Sequence, residues 1–186
     1  EVTFDEKWLN LAKKLLDYSE KHFWDEASNM FFYTSDEDKS LIRRTIEMDD
    51  NVISSSNSMM AINLFKFHKL FLDEGYGETS KQMLKNVQKD FEERGQSFSN
   101  WLHLVLYLNQ NFYEIAIVGK DYKSIGQEII KSYVPNSILV GSQKDGNLEL
   151  LKNRDVPGKT LAYVCIEGAC KLPVSNAEEV LKQLAD

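Results

Sequence analysis

The sequence predicts a mainly helical chain that ends in a small α/β piece. We read residues 1–111 as the last helices of an (α/α) toroid and residues 112–186 as a βαββα unit. Three observations lead there. Apolar residues recur at helical spacing through the first hundred positions. The helices alternate between one apolar face and an apolar surface nearly all round, as a double ring of helices requires, with inner members covered on both sides. After Phe112 the apolar period drops to two.

From Asp5 to Phe23, Trp8, Leu11, Ala12, Leu15, Leu16 and Ser19 follow the i, i+3, i+4 rule, with Lys13, Lys14, Asp17 and Glu20 opposite. That is an amphipathic helix. Turn formers at Asp25–Asn29 separate two aromatic runs, which predicts a short hairpin or extended loop. Ser35–Asp50 continues as loop or edge strand. Met59, Met60, Ala61, Ile62, Leu64, Phe65, Phe67, Leu70 and Phe71 then cover most of a helix circumference, with Ser56, Asn57 and Ser58 as capping candidates. Residues 78–93 return to one stripe (Met83, Leu84, Val87, Phe91), stopped by Gly95. Residues 99–109 are again apolar nearly all round. Strands follow at 114–119, 137–141 and 160–166, the first two parallel across a helix at 121–133. Ser175-x-x-Glu178 carries a capping-box pattern before the last helix.

Composition excludes several classes. Forty-two per cent hydrophobic residues and 11% aromatics supply a core, so the chain is not a disordered segment. A mean hydropathy of −0.40 and a longest apolar run of only Leu104–Leu108 argue against a membrane span. A net charge of −7 without a Lys/Arg cluster makes nucleic acid a poor partner. The chain shows no signal peptide and no Asn-x-Ser/Thr acceptor, and the expected location is cytoplasmic. It opens at Glu1 rather than methionine, which points to a piece of a longer protein.

Motifs for chemistry are sparse. Cys165 and Cys170 lack the two-residue spacer of a redox pair and the four ligands of structural zinc, so they are expected to be reduced, metal-free thiols. His22, His68 and His103 share no ligand spacing. Gly119 and Gly126 flank a strand-to-helix turn that matches neither a dinucleotide fingerprint nor a phosphate loop. No cofactor and no metal are implied. The segment Glu47–Ser58 stands out, because carboxylates and hydroxyls crowd the entrance of a helix covered on all sides. They either cap and pair there or line a cavity.

Three motifs carry a resemblance. They are Phe23-Trp24-Asp25-Glu26 with Phe31-Phe32-Tyr33-Thr34, then Asp50-Asn51-x-x-Ser54-Ser55-Ser56-Asn57-Ser58, and last Ala162-Tyr163-Val164-Cys165-x4-Cys170-x-x-Pro173-Val174. In order and spacing they resemble the C-terminal part of the YyaL/spermatogenesis-associated protein 20 family. Members of that family resemble a thioredoxin-like domain followed by a helical toroid akin to N-acylglucosamine epimerases and six-hairpin glycosidases, and a small α/β piece. The resemblance implies that this chain lacks the thioredoxin-like part. The family loop reads Asp-Gly-Ala-x-Pro-Ser-Gly-Asn-Ser, so Ser54 stands for its proline and Ser56 for its second glycine. Asn29-Met30 stands where the family has Gly-Gly.

Two functions follow as expectations. In one, the parent protein binds or processes a saccharide in the toroid funnel, this fragment being inactive alone. Asp50 would be acceptor or acid/base, Asn57 the orienting amide and Trp101 the stacking face, with His103 a fourth ligand contact. Asp50 and Asn57 should then lie partly exposed in one cleft with Trp101 at its wall. In the other, the chain is a non-catalytic binding or scaffold module. Either way its partners include the missing N-terminal domains, and exposed Trp8, Leu11 and Leu15 should drive self-association.

Overall fold

The computed structural model describes residues 1–39 and 42–185. Ser40 and Leu41, inside the stretch expected as loop or edge strand, lie outside the described residues, as does Asp186. The chain is mainly α-helical with a small mixed sheet. It forms two compact units, one of Glu6–His68 with Asp73–Leu106, the other of Glu1–Asp5, Lys69–Leu72 and Tyr107–Asp186.

The helical unit opens with α1 (Glu6–Phe23) and a two-rung hairpin of β1 (Trp24–Asp25) and β2 (Met30–Phe31). Asn29 closes the hairpin turn at φ +52°. This left-handed conformation suits glycine, and asparagine tolerates it better than most residues. Irregular chain follows as far as Ser55. Arg44 pins it by donating to the carbonyls of His22 and Thr34 while lying over the Phe32 ring. Then come α2 (Ser56–Phe71) and α3 (Glu74–Val87), whose start at Asp73 is earlier than its apolar stripe indicates, because the Asp73 carboxylate accepts from Gly75 N–H. A 3₁₀ turn, the four-residue α4 (Phe91–Arg94), a second 3₁₀ turn and α5 (Ser99–Asn109) complete it.

Two helices depart from the expected alternation. In α1 the apolar residues divide between two sides. Leu16 is buried, while Trp8, Leu11 and Leu15 are 56%, 47% and 60% exposed. In α5 only Trp101 and Leu104 are buried, and Leu102 and Leu106 face outward. The helix therefore has one covered side rather than two. Ladders of apolar residues state what a helix can bury, not what neighbours this length of chain provides. By contrast α2 is covered on most sides, as its composition requires.

The second unit is a four-stranded sheet in the order β4-β3-β5-β6, from β3 (Tyr113–Val118), β4 (Ser137–Ser142), β5 (Leu161–Ile166) and β6 (Ala169–Cys170). β3 and β4 are parallel across α6 (Tyr122–Ile129), and β5 and β6 run antiparallel. All six residues of β3 are buried, as in a strand covered on both faces. Ile115 and Ile117 pack with Ile125 and Ile129 of α6 and with Ala177 and Val180 of α7 (Ala177–Ala185). The cap of α7 is one residue later than Ser175: Asn176 Oδ1 accepts from Glu179 N–H, and Glu179 reaches back to Ser175 N–H. Gly126 has the Phe4 ring where a Cβ would stand, so its place in α6 is a packing requirement.

Cys165 and Cys170 are not free thiols. They form a disulfide between directly opposed residues of β5 and β6, joined by a two-residue turn in which Glu167 and Gly168 have φ of +49° and +79°. That turn is the type that suits a tight hairpin. It turns a separation of five in sequence into cross-strand adjacency, which the spacing alone conceals.

Candidate functional site

The polar loop before α2 is a hub of internal hydrogen bonds. Ser55, rather than the three residues after it, is the N-cap of α2, its Oγ accepting from Ser58 N–H at 3.1 Å. The Asp50 carboxylate accepts four bonds: from Ser55 N–H (3.0 Å), Ser58 Oγ (2.6 Å), Asn100 N–H (2.8 Å) and Asn100 Nδ2 (3.0 Å). The bond from Asn100 N–H serves the start of α5, because the residue before that helix, Phe98, has no side-chain oxygen to cap it. One carboxylate thus sits at the starts of two helices, where the helix dipoles favour negative charge. Burial works to raise the Asp50 pKa. The bonds from Ser58, Asn100 and the backbone outweigh it and hold the carboxyl below the usual carboxylate range.

Asn57 is likewise consumed. Its Oδ1 accepts Phe31 N–H at 2.7 Å, and its Nδ2 donates to the carbonyls of Phe31 and Glu47, each at 2.8 Å. Its amide therefore takes the place of a neighbouring strand for Phe31. Trp101 is fully buried, and its indole Nε1 donates to Met48 O at 2.8 Å. His103 lies on the exposed side of α5, opposite Trp101 as the 200° between them requires. Asp50 is 6% exposed and Asn57 is sealed, so the expected arrangement, a partly exposed cleft with Trp101 at its wall, is not what the helical unit contains. Asp50, Asn57 and Trp101 do meet, through the Met48–Ser58 loop, but as its internal ties.

Two features that sequence reasoning missed lie in the α/β unit. The first is a cleft of about 440 Å³ beyond the carboxyl ends of β3 and β4, lined by Gly119–Asp121, Gln143, Lys144 and 155–160. Open α/β sheets hold ligands at that end. Lys120, Lys144 and Lys159 line it, offset by Asp121 and Asp155. Gly119, at φ +133°, is needed there, since a Cβ would stand 2.5 Å from Lys159 O.

The second is the environment of the disulfide. Arg154 reaches it from the preceding loop, with Nη1 and Nη2 at 3.5 and 3.6 Å from Cys165 Sγ and Nη2 at 3.4 Å from Cys170 Sγ. The loop is held by the Asp145 carboxylate, which accepts from the N–H groups of Asn153, Arg154 and Asp155 at 2.8–3.1 Å. Those bonds hold the Asp145 carboxyl below its ordinary pKa. Tyr163 donates its hydroxyl to Arg154 O and lays its ring under the guanidinium at 4.6 Å. Burial lowers the Arg154 pKa. The signal for this site was the Cys-Ile-Glu-Gly-Ala-Cys string, symmetric about a Glu-Gly turn.

Among the described residues, no cluster of three or more His, Cys, Asp or Glu side chains is arranged to hold a metal ion. No described helix is long and apolar enough to cross a membrane.

No family model matches the chain. Curated relatives do. It is 25% identical to human spermatogenesis-associated protein 20 over 198 aligned positions, covering 99% of this chain and 25% of that protein. The proteins of the same name from Rattus norvegicus and Mus musculus match at 25% and 24%, with the same coverage. The chain spans about a quarter of the length of the curated relatives it matches. Similarity running end to end, together with the loop and hairpin motifs whose geometry is described above, supports the resemblance to the spermatogenesis-associated protein 20 (YyaL-type) family.

Proposed function

We propose that this chain is a non-catalytic packing module of a longer protein, whose remainder covers the outer face of α1. One observation carries the reading: Trp8, Leu11 and Leu15 form a continuous exposed apolar stripe on a helix whose other side is already packed. Leu102 and Leu106 on α5 repeat the pattern. Covering three large side chains stabilises by about 5–9 kcal/mol at 1.5–3 each. Free association costs roughly 4–15 kcal/mol in lost translation and rotation. Two free copies covering both of their stripes gain about twice that, the same order as the cost of associating, whereas a segment of the same polypeptide, already tethered, gains without that cost. The covering segment, on this reading, is the rest of an (α/α) toroid, with the thioredoxin-like domain of the family resemblance beyond it.

The test is a longer family protein that includes this chain, compared with the chain alone. Leu11→Glu/Leu15→Glu should lower the melting temperature of the longer protein measurably and leave the chain alone within about 2 °C, which is less than about 1 kcal/mol at about 2–4 °C per kcal/mol for a chain of this length. Equal small effects in both would sink the packing reading. The saccharide reading has its own arm in the same preparation. Saturable binding of mono- or oligosaccharides by calorimetry, weakened by His103→Ala on the exposed side of α5, would favour it over the module. Asp50, Asn57 and Trp101 support the module instead, since their polar groups are spent on the fold.

A further inference from the structure

We propose that Cys165–Cys170 is a thiol–disulfide exchange site for an incoming dithiol, in which Arg154 receives the thiolate that is released. The inference is independent of the packing module, which rests on α1.

The bridge is poorly explained as a staple. It links residues already opposed by a two-residue turn, so it constrains a register the hairpin has fixed. Its surroundings suit chemistry better. The two sulfurs differ in access: Cys170 is exposed on the edge strand β6, and Cys165 is buried. An incoming thiolate is therefore directed to Cys170 Sγ. The group expelled is Cys165 Sγ, the sulfur that both terminal nitrogens of Arg154 face.

The charge balance points the same way. Among the described residues no carboxylate forms an ion pair with Arg154; its partners are two neutral sulfurs and the Tyr163 ring. A half-buried guanidinium facing a disulfide lacks an anion, and a thiolate supplies one. The other charges nearby are engaged. Glu114, opposite Cys165 on β3, takes up the Lys69 ammonium at 3.4 Å and the Gly168 N–H at 3.2 Å. Lys171 is turned to the Gln183 carbonyl. The Arg154 fork is also fixed before any reaction, through Asp145 and Tyr163.

The exchange balances as two displacements. The dithiol, as its thiolate, attacks Cys170 Sγ; the Cys165–Cys170 bond breaks, a mixed disulfide forms on Cys170, and Cys165 leaves as a thiolate beside Arg154. The second sulfur of the dithiol, after losing its proton, attacks its own sulfur in that mixed disulfide and expels the Cys170 thiolate. The dithiol is oxidised to a disulfide, two electrons reach the cysteine pair, and the two protons go to solvent or to the new thiols.

The probe is dithiothreitol, applied to the folded chain, with alkylation and mass measurement to count thiols. The pair should reduce without denaturant. Arg154→Gln should slow reduction about fivefold or more, with Arg154→Lys between, because the leaving thiolate loses its cation. In the reduced chain, the pH profile of iodoacetamide alkylation should place a thiol below the ordinary value of about 8.5, rising in Arg154→Gln. A loosened loop alone would not move that profile in this direction. Single-cysteine variants give an arm that needs no change at Arg154: in Cys165→Ser, Cys170 should form a mixed disulfide with oxidised glutathione, and in Cys170→Ser the buried Cys165 should react at least about tenfold more slowly. A bridge that resists dithiothreitol until the chain unfolds, equal reduction rates with and without Arg154, or equal reactivity of the two single cysteines would each overturn the proposal.

Discussion

Replacing Asp50 by alanine tests whether the polar loop before α2 is a structural hub. The carboxylate is 6% exposed and accepts from four donors, two of them backbone N–H groups at the starts of α2 and α5. A buried donor left without an acceptor costs about 1–3 kcal/mol. Water entering the vacated space can satisfy some of the four, so two orphaned donors are a fair count and the expected loss is about 4 kcal/mol. For a chain of this length the melting temperature should fall by about 8–16 °C. Asp50→Asn keeps the shape and one accepting oxygen but turns a donor toward a donor, and should lose about half as much. Thermal unfolding followed by circular dichroism measures both. A residue held in place for a ligand rather than for the fold commonly strains it, and its removal then stabilises. Asp50→Ala melting within 2 °C of the parent, or above it, would refute the hub.

Three further outcomes follow. Because its bonds hold the Asp50 carboxyl below the usual range, its contribution is complete above the unfolded-state pKa of about 3.9 and is lost as pH falls through the folded value. The stability gap between the parent and Asp50→Asn should therefore narrow below about pH 4, and a gap that is constant with pH would contradict this. Trp101→Phe removes the Nε1 donor to Met48 O and leaves a small void; urea unfolding should show a loss of about 2–3 kcal/mol. Gly119→Ala meets both a φ of +133° and a Cβ position 2.5 Å from Lys159 O, and should cost more than about 2 kcal/mol, whereas Gly158→Ala, with open space around it, should cost less.

Much of the fold was legible because the hydrophobic period is a local quantity. The change from helical spacing to a period of two at Phe112 marks the start of the sheet within a residue of β3. The sequence misleads where two local signals compete or where the answer is not local. Ser175 with Glu178 and Asn176 with Glu179 are equally good capping patterns, and only the packing of Ala177 and Val180 chooses the second. Ser55, Ser56, Asn57 and Ser58 all cap well by type, and the position of Asp50 selects Ser55. α5 is apolar nearly all round, but burial on both sides needs neighbours, and Leu102 and Leu106 stay exposed here.

The site was legible only as a concentration of polar groups, because residue type does not reveal whether a polar atom's partner is a ligand or the chain itself. Counting bonds shows how far each atom is already engaged by the chain. Asp50 has four donors, and Asn57 uses both amide protons and its carbonyl on backbone groups of Phe31 and Glu47. Trp101 has one proton to give and gives it to Met48. A ligand arriving at these three would have to break bonds worth about as much as those it offered. The opposite imbalance appears at Arg154, whose cation faces atoms that cannot neutralise it unless the bridge between them opens. Its neighbours in sequence gave no hint of this, since Arg154 and Cys165 meet only because Asp145 and Tyr163 hold the loop against β5. Reactivity in this chain is therefore to be sought where charge is left unsatisfied by the fold, at the β5–β6 hairpin, and not where polar residues are most numerous.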